Sequence, residues 1–270
     1  MTGLLRRHNV VVRGPEGARP LVFAHGFGCD QAMWRHVAPA FEDRFRTVLF
    51  DHVGFGGSDL AAYRPEERGT LEPFARDVVA ICEELELEDV VVVGHSVSAV
   101  VGVLAARMAP GRISALVLVG PSPRYLDDEG YRGGFSREDI EGLLEAMEAN
   151  YLGWSGQMAP LIAGGEAEHG AELTASFCRT DPEIASHFAR TLFLADNRAD
   201  LAEVAQPALV LQCADDPIAP REVGEHVARA MPGGELVVLD VSGHCPHLTA
   251  PAETIAAIER FLEARAPARA

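Results

Sequence analysis

The sequence predicts an α/β fold: a mainly parallel β-sheet with helices on both faces, interrupted by one all-helical insertion. Three observations carry this expectation. Short β-branched runs alternate with longer helical patterns. Several of those runs are apolar at almost every position, as strands buried on both faces must be. The alternation then stops between Pro121 and Pro207 and resumes afterwards.

In chain order, residues 10–12 read as an antiparallel edge strand, and 21–24 and 47–50 as buried strands. A helix is expected over 33–41 between them. A helix over 71–85 leads to the strand 90–93, whose four valines run directly into a helix over 97–108. The strand 116–119 closes this half. The next stretch has no β-branched run. It reads as several helices broken at Gly133-Gly134, Gly153, Gly164-Gly165 and Asp181-Pro182, with Tyr125, Phe135, Tyr151, Trp154, Phe177, Phe188 and Phe193 among them. Strands over 208–212 and 235–239 and helices over 221–230 and 252–264 complete the pattern. The division expected is a core of residues 1–121 and 206–270, with a helical cap or lid over 122–205. Such a cap covers the C-terminal edge of the sheet, where open α/β sheets bind ligands.

At 270 residues with 48% hydrophobic content, the chain suits one core with an insertion better than two independent domains. Its formal charge of -17 repels phosphate backbones and anionic lipid, so nucleic acid and inner-leaflet membranes are poor partners. The acidic residues are spread through helical segments, as at Glu83, Glu84, Glu86 and Glu88, and do not form a disordered tail. The five cysteines are odd in number, widely spaced and without a C-x-x-C, which argues against a disulfide framework and a thiolate zinc site. No apolar stretch follows the arginines of residues 1–9 and no run approaches ~18 apolar residues, so a cytoplasmic protein without signal peptide or membrane span is expected.

Four loops carry the chemistry. In the first, the valine strand ends in Gly94-His95-Ser96-Val97-Ser98 and a helix follows. This is the setting of a nucleophile elbow, whose tight turn projects a serine hydroxyl at a helix N-terminus, where free amides favour developing negative charge. The fifth position, usually glycine, is Ser98. The second is Phe23-Ala24-His25-Gly26-Phe27-Gly28, a strand ending in a glycine-rich turn. That loop supplies the second oxyanion amide, so the backbone N–H groups of Phe27 and Val97 are the expected pair.

The third loop, Val241-Ser242-Gly243-His244-Cys245-Pro246-His247, lies after the last strand, where the base belongs. His244 and His247 compete; His244 is preferred because it follows Gly243 at the loop apex. A metal role for the His-x-x-His pair lacks a third ligand, so no metal and no cofactor are expected. The fourth, Ala214-Asp215-Asp216-Pro217-Ile218, supplies the carboxylate that holds the histidine tautomer. Either aspartate could serve, with Asp216 preferred and Asp215 free to cap the turn. The glycine-rich Asp51-His52-Val53-Gly54-Phe55-Gly56-Gly57-Ser58 lacks the Gly-Lys-Ser/Thr of a phosphate loop and reads as a structural turn beside the site. The candidate pocket wall is Phe27, Phe135, Trp154, Met158 and Phe193.

On these residues the chain is identified as α/β-hydrolase-like. Its elbow Gly94-His95-Ser96-Val97-Ser98 resembles that of the RsbQ group of bacterial stress-regulatory hydrolases, a group shared with plant strigolactone and karrikin receptors. The segments from His25 to Gln31, from Leu49 to Gly54 and from Gly243 to His247 resemble it too, as does Pro121-Ser122-Pro123-Arg124-Tyr125-Leu126. The resemblance implies a four-helix, V-shaped cap over a small, mostly apolar pocket and a triad of Ser96, Asp216 and His244. It also implies a small hydrophobic ligand or substrate and a PAS-domain phosphatase as partner. Two readings follow: a serine hydrolase of a small ester or lactone, or a ligand-sensing signalling protein in which turnover is incidental. A serine at the elbow argues against dehalogenase and epoxide-hydrolase chemistry, which place a carboxylate there.

Overall fold

The computed structural model describes residues 2–265. The chain opens on α1 (Gly3–Arg7) and continues through β1 (Val11–Arg13), β2 (Pro20–Ala24), β3 (Arg46–Phe50) and α2 (Glu72–Glu84). β4 (Val90–His95), α3 (Val97–Met108) and β5 (Ile113–Val119) follow. Four helices come next: α4 (Arg137–Ala149), α5 (Tyr151–Ile162), α6 (Ala167–Phe177) and α7 (Pro182–Phe193). The chain closes with β6 (Ala208–Asp215), α8 (Arg221–Ala230), β7 (Gly234–Ser242), α9 (Pro246–Thr249) and α10 (Pro251–Glu263).

The strands form one sheet in the order β1-β3-β2-β4-β5-β6-β7. β1 pairs antiparallel with β3 and every other pairing is parallel. This is the mainly parallel sheet with helices on both faces that the sequence predicts. Side chains alternate between two cores. Val22, Val92, Leu116 and Val210 point to one, shared with α2, α3 and α8. Leu21, Val91, Val117 and Leu209 point to the other, covered by α10 and by the turns around Trp34 and Phe41. A strand so enclosed must be apolar on both sides, which is why the valines of β4 run without interruption.

Two local expectations fail. Residues 33–41 do not form an α-helix; they make two 3₁₀ turns, Gln31–Trp34 and Ala38–Phe41. Asp30 caps the first through the Ala32 N–H, and Pro39, which has no N–H to donate, sits inside the second. Gly153 does not break a helix. The break falls at Asn150, whose side chain accepts from the Gly153 N–H and starts α5. Between β5 and β6, α5 packs against α6 and α4 against α7.

Candidate active site

The elbow is built by a sharp reversal between β4 and α3. Ser96 has φ 57° and ψ -122°, a left-handed conformation rare for a side-chain-bearing residue and costly by roughly 1–3 kcal/mol. Its N–H donates to Val119 O of the neighbouring strand at 2.8 Å. The turn is so tight that a Cβ at Gly94 would lie 2.2 Å from Ser98 O, so only glycine fits there.

Ser96 Oγ lies 2.8 Å from His244 Nε2, and His244 Nδ1 lies 2.7 Å from Asp216 Oδ2. The carboxylate accepts, so the imidazole proton sits on Nδ1 and Nε2 is free to accept from the serine hydroxyl. Asp216 is itself fixed: its Oδ1 accepts from the N–H groups of Ile218 and Ala219 at 2.8 and 3.0 Å. Asp215 is exposed and reaches only Ser242 Oγ, at 3.3 Å. His247 is buried between Trp34 and His95, with ring centroids 4.6 and 4.3 Å away, and among the described residues bonds through neither nitrogen. Burial lowers its pKa to about 3. Of the competing pairs, His244 and Asp216 are therefore the members that join Ser96.

The two expected oxyanion amides lie on either side of the serine. Val97 opens α3 immediately after it, and Phe27 follows Gly26, where an added Cβ would come within 3.4 Å of Ser96 Cβ. Neither N–H donates to another group among the described residues, which leaves both free for a ligand oxygen.

Above Ser96 and His244 lies a cavity with ≈ 40 Å³ open to the centres of water molecules, a few times the ~10–15 Å³ one water needs. Phe27, Trp154, Met158 and Phe193 line it. Phe135 does not; it stands behind the wall, with ring centroids 6.4 and 6.5 Å from Tyr125 and Phe193. The sequence reading missed Leu143, Ile162, Leu173 and Leu192, one from each of α4 to α7, together with Tyr125 and the thiols of Cys29 and Cys245. Periodicity marks such leucines as apolar without saying which core they face. Burial raises the Cys29 pKa to about 12 and pushes Cys245 well above the usual thiol range, so neither competes as a thiolate nucleophile. Among the described residues that line the cavity there is no Asp, Glu, Lys or Arg, and Asp216 lies behind His244.

One further bond ties the site to the helices above it: His244 N–H donates to Ile162 O, at the end of α5, at 2.7 Å. The glycine-rich turn 51–58 is closed on itself, with the Asp51 carboxylate accepting from the N–H groups of Gln31 and Gly57, both at 2.8 Å. Among the described residues no group of three or more His, Cys, Asp or Glu could hold a metal ion, and no helix is long and apolar enough to cross a membrane.

The sequence profile described as "Alpha/beta hydrolase family" matches residues 21–258. The chain is 38% identical to karrikin insensitive 2 receptor CA of Petunia hybrida, over 94% of this chain and 95% of that protein. It is also 38% identical to strigolactone esterase D14 of Arabidopsis thaliana, over 96% and 97%. Among solved structures it resembles a hydrolase from Oleispira antarctica, with a TM-score of 0.94 and 38% identity over 97% of this chain and 96% of that one.

Proposed function

Because the chain belongs to the α/β-hydrolase family, we propose that it hydrolyses a small, uncharged, largely apolar carboxylic ester or lactone through an acyl-Ser96 intermediate. The observation that carries this reading is the continuous chain Ser96–His244–Asp216, at 2.8 and 2.7 Å, on the floor of an apolar cavity.

Ser96 Oγ bonds to the substrate carbonyl carbon while its proton passes to His244 Nε2. The carbonyl electron pair moves onto oxygen, where the Phe27 and Val97 N–H groups stabilise it. Collapse expels the alcohol, which takes the proton from His244; in a lactone it stays tethered to the acyl group. Water, deprotonated by His244, then releases the acid and restores the serine. Asp216 keeps the tautomer and stabilises the imidazolium. The helices over residues 122–205 act as the cap that keeps bulk water and large acyl chains away.

The test uses p-nitrophenyl esters of increasing chain length. A burst and an acyl adduct on Ser96 are expected with acetate and butyrate, and Ser96→Ala should lower kcat on the order of 10⁴–10⁶-fold. Short esters and butenolide-type lactones should outpace long-chain ones, because the cavity is small. Near-full activity in purified Ser96→Ala would end the serine mechanism, and faster turnover of a twelve-carbon ester would end the closed pocket.

A second reading is favoured by one finding, that a relative of this length is named a receptor. In it the occupied or acylated pocket shifts the cap between two states, and a partner reads the state. The resemblance to the RsbQ group supports a cytoplasmic PAS-domain phosphatase as that partner in stress signalling. Co-purification of such a phosphatase, its activity rising with wild type and falling with Ser96→Ala, is the expected result.

A further inference from the structure

Ser98 lies two residues past the nucleophile and takes no part in the Ser96–His244–Asp216 chain, yet it is fully buried and bonded on two sides. Its hydroxyl donates to His25 O at 2.5 Å. Having spent its proton there, its oxygen accepts from His52 Nε2–H at 2.7 Å. The His52 N–H returns to His25 Nε2 at 3.0 Å, closing a ring through the ends of β2 and β3 and the first turn of α3. Since His25 Nε2 accepts, its proton is on Nδ1, which donates to Gly26 O at 2.9 Å. Burial lowers the pKa of both His25 and His52, so both imidazoles are neutral and these roles are consistent.

The bond that leaves the ring, from His25 Nδ1–H to Gly26 O, decides what the ring does; the same oxygen accepts more weakly from Cys29 N–H at 3.4 Å. Gly26 O belongs to the peptide plane whose other end is the Phe27 N–H. In a trans peptide the C=O and N–H point in opposite directions, and there is no cis bond among the described residues. Holding Gly26 O therefore aims the Phe27 N–H the other way. Resting on the hydrolase reading above, we propose that Ser98 and His52 are positioning residues, whose hydrogen-bond ring fixes the His25–Gly26–Phe27 turn and so the direction of one oxyanion donor. A glycine at position 98 would leave His52 Nε2 and His25 O without their shared partner in a site that excludes water.

The experiment compares wild type with Ser98→Ala, Ser98→Gly and His52→Phe on p-nitrophenyl butyrate. It also measures inhibition by butylboronic acid, which forms a tetrahedral adduct on a serine and reports on oxyanion stabilisation directly. We expect kcat to fall about ten- to a hundredfold, less than or equal to outright loss of one oxyanion donor. KM should stay within about threefold, the boronate should weaken by a factor like that in kcat, and Ser98→Thr, which keeps the hydroxyl, should recover most of the loss. Wild-type kcat and boronate affinity in Ser98→Ala or Ser98→Gly would overturn the role. So would a change confined to thermal stability or KM. If those variants do not fold, His52→Gln, which retains an N–H donor, tests the same ring: its kcat and boronate affinity must move together. A wild type that hydrolyses no ester and forms no Ser96 adduct sinks the hydrolase reading itself; an active wild type with undiminished Ser98 variants sinks only the positioning role.

Discussion

Two adjacent aspartates separate cleanly once their surroundings are considered. Asp216 is 7% exposed, bonded to His244 and held by two backbone amides, while Asp215 points to solvent. Asp216→Asn replaces an acceptor with an amide that can present a donor to Nδ1, so the imidazole loses its tautomer preference. We expect kcat to drop on the order of 10⁴-fold in Asp216→Asn and by less than about threefold in Asp215→Asn, assayed on the same short ester. A larger loss in Asp215→Asn would reverse the assignment. The residues of this site were legible where chemistry restricts the choice to a few side chains at strand ends: Ser96 after four valines, His244 after the last strand, Asp216 before a proline. The Ser98–His52–His25 ring was not legible, because it depends on three strand ends meeting, and nothing in the linear order of residues 25, 52 and 98 announces that. Phe135 was misplaced for a similar reason. An aromatic ring near a pocket can form its wall or the layer behind it, and only packing tells the two apart.

At the scale of elements, strands were readable to within a few residues because burial on both faces leaves an unbroken apolar run. Helix α3 was readable to its ends, since a valine strand, a tight turn and a long apolar stretch admit one geometry. The turns over 31–41 were not, because an apolar spacing compatible with a helix is overridden by a proline and a side-chain cap. The helices between β5 and β6 show how one element reaches another's chemistry. The turn after α5 carries Gly164 at φ 81°, where a Cβ would lie 2.5 Å from Ser242 O, on the loop that presents His244. Gly164→Ala must push the two turns apart or strain the backbone, at a cost of about 1–3 kcal/mol. Displacing His244 by a fraction of an ångström lowers kcat roughly ten- to a hundredfold. Urea titration and steady-state kinetics on the one variant check both; unchanged kcat in a destabilised protein would show that the His244 loop does not follow α5.

At the scale of the whole molecule, several imidazoles among the described residues are fully buried. His8, His25, His52, His95 and His247 all have their pKa lowered, in each case chiefly by burial. An unfolded histidine titrates near 6.5, so below that pH the unfolded chain holds more protons than the folded one. Stability therefore rises with pH through this window: it is complete above about 6.5 and is lost as pH falls, at up to ~1.4 kcal/mol per pH unit for each histidine. For His247 the window runs down to about 3. Hydrogen-bonded carboxylates such as Glu72, held down by Thr70, add loss in the same direction at still lower pH. The thermal midpoint should fall steadily from pH 7 to pH 4.5 in a calorimetric series, and a flat profile over that range would contradict the neutral assignment. The bond from His244 N–H to Ile162 O has a consequence at the same scale. The loop that carries His244 hangs by its own backbone from the end of α5, so on the hydrolase reading a shift of that helix would move the imidazole relative to Ser96. On the hydrolase reading, a molecule wedged against the last turn of α5 would lower turnover while leaving the Ser96, His244 and Asp216 side chains chemically unaltered.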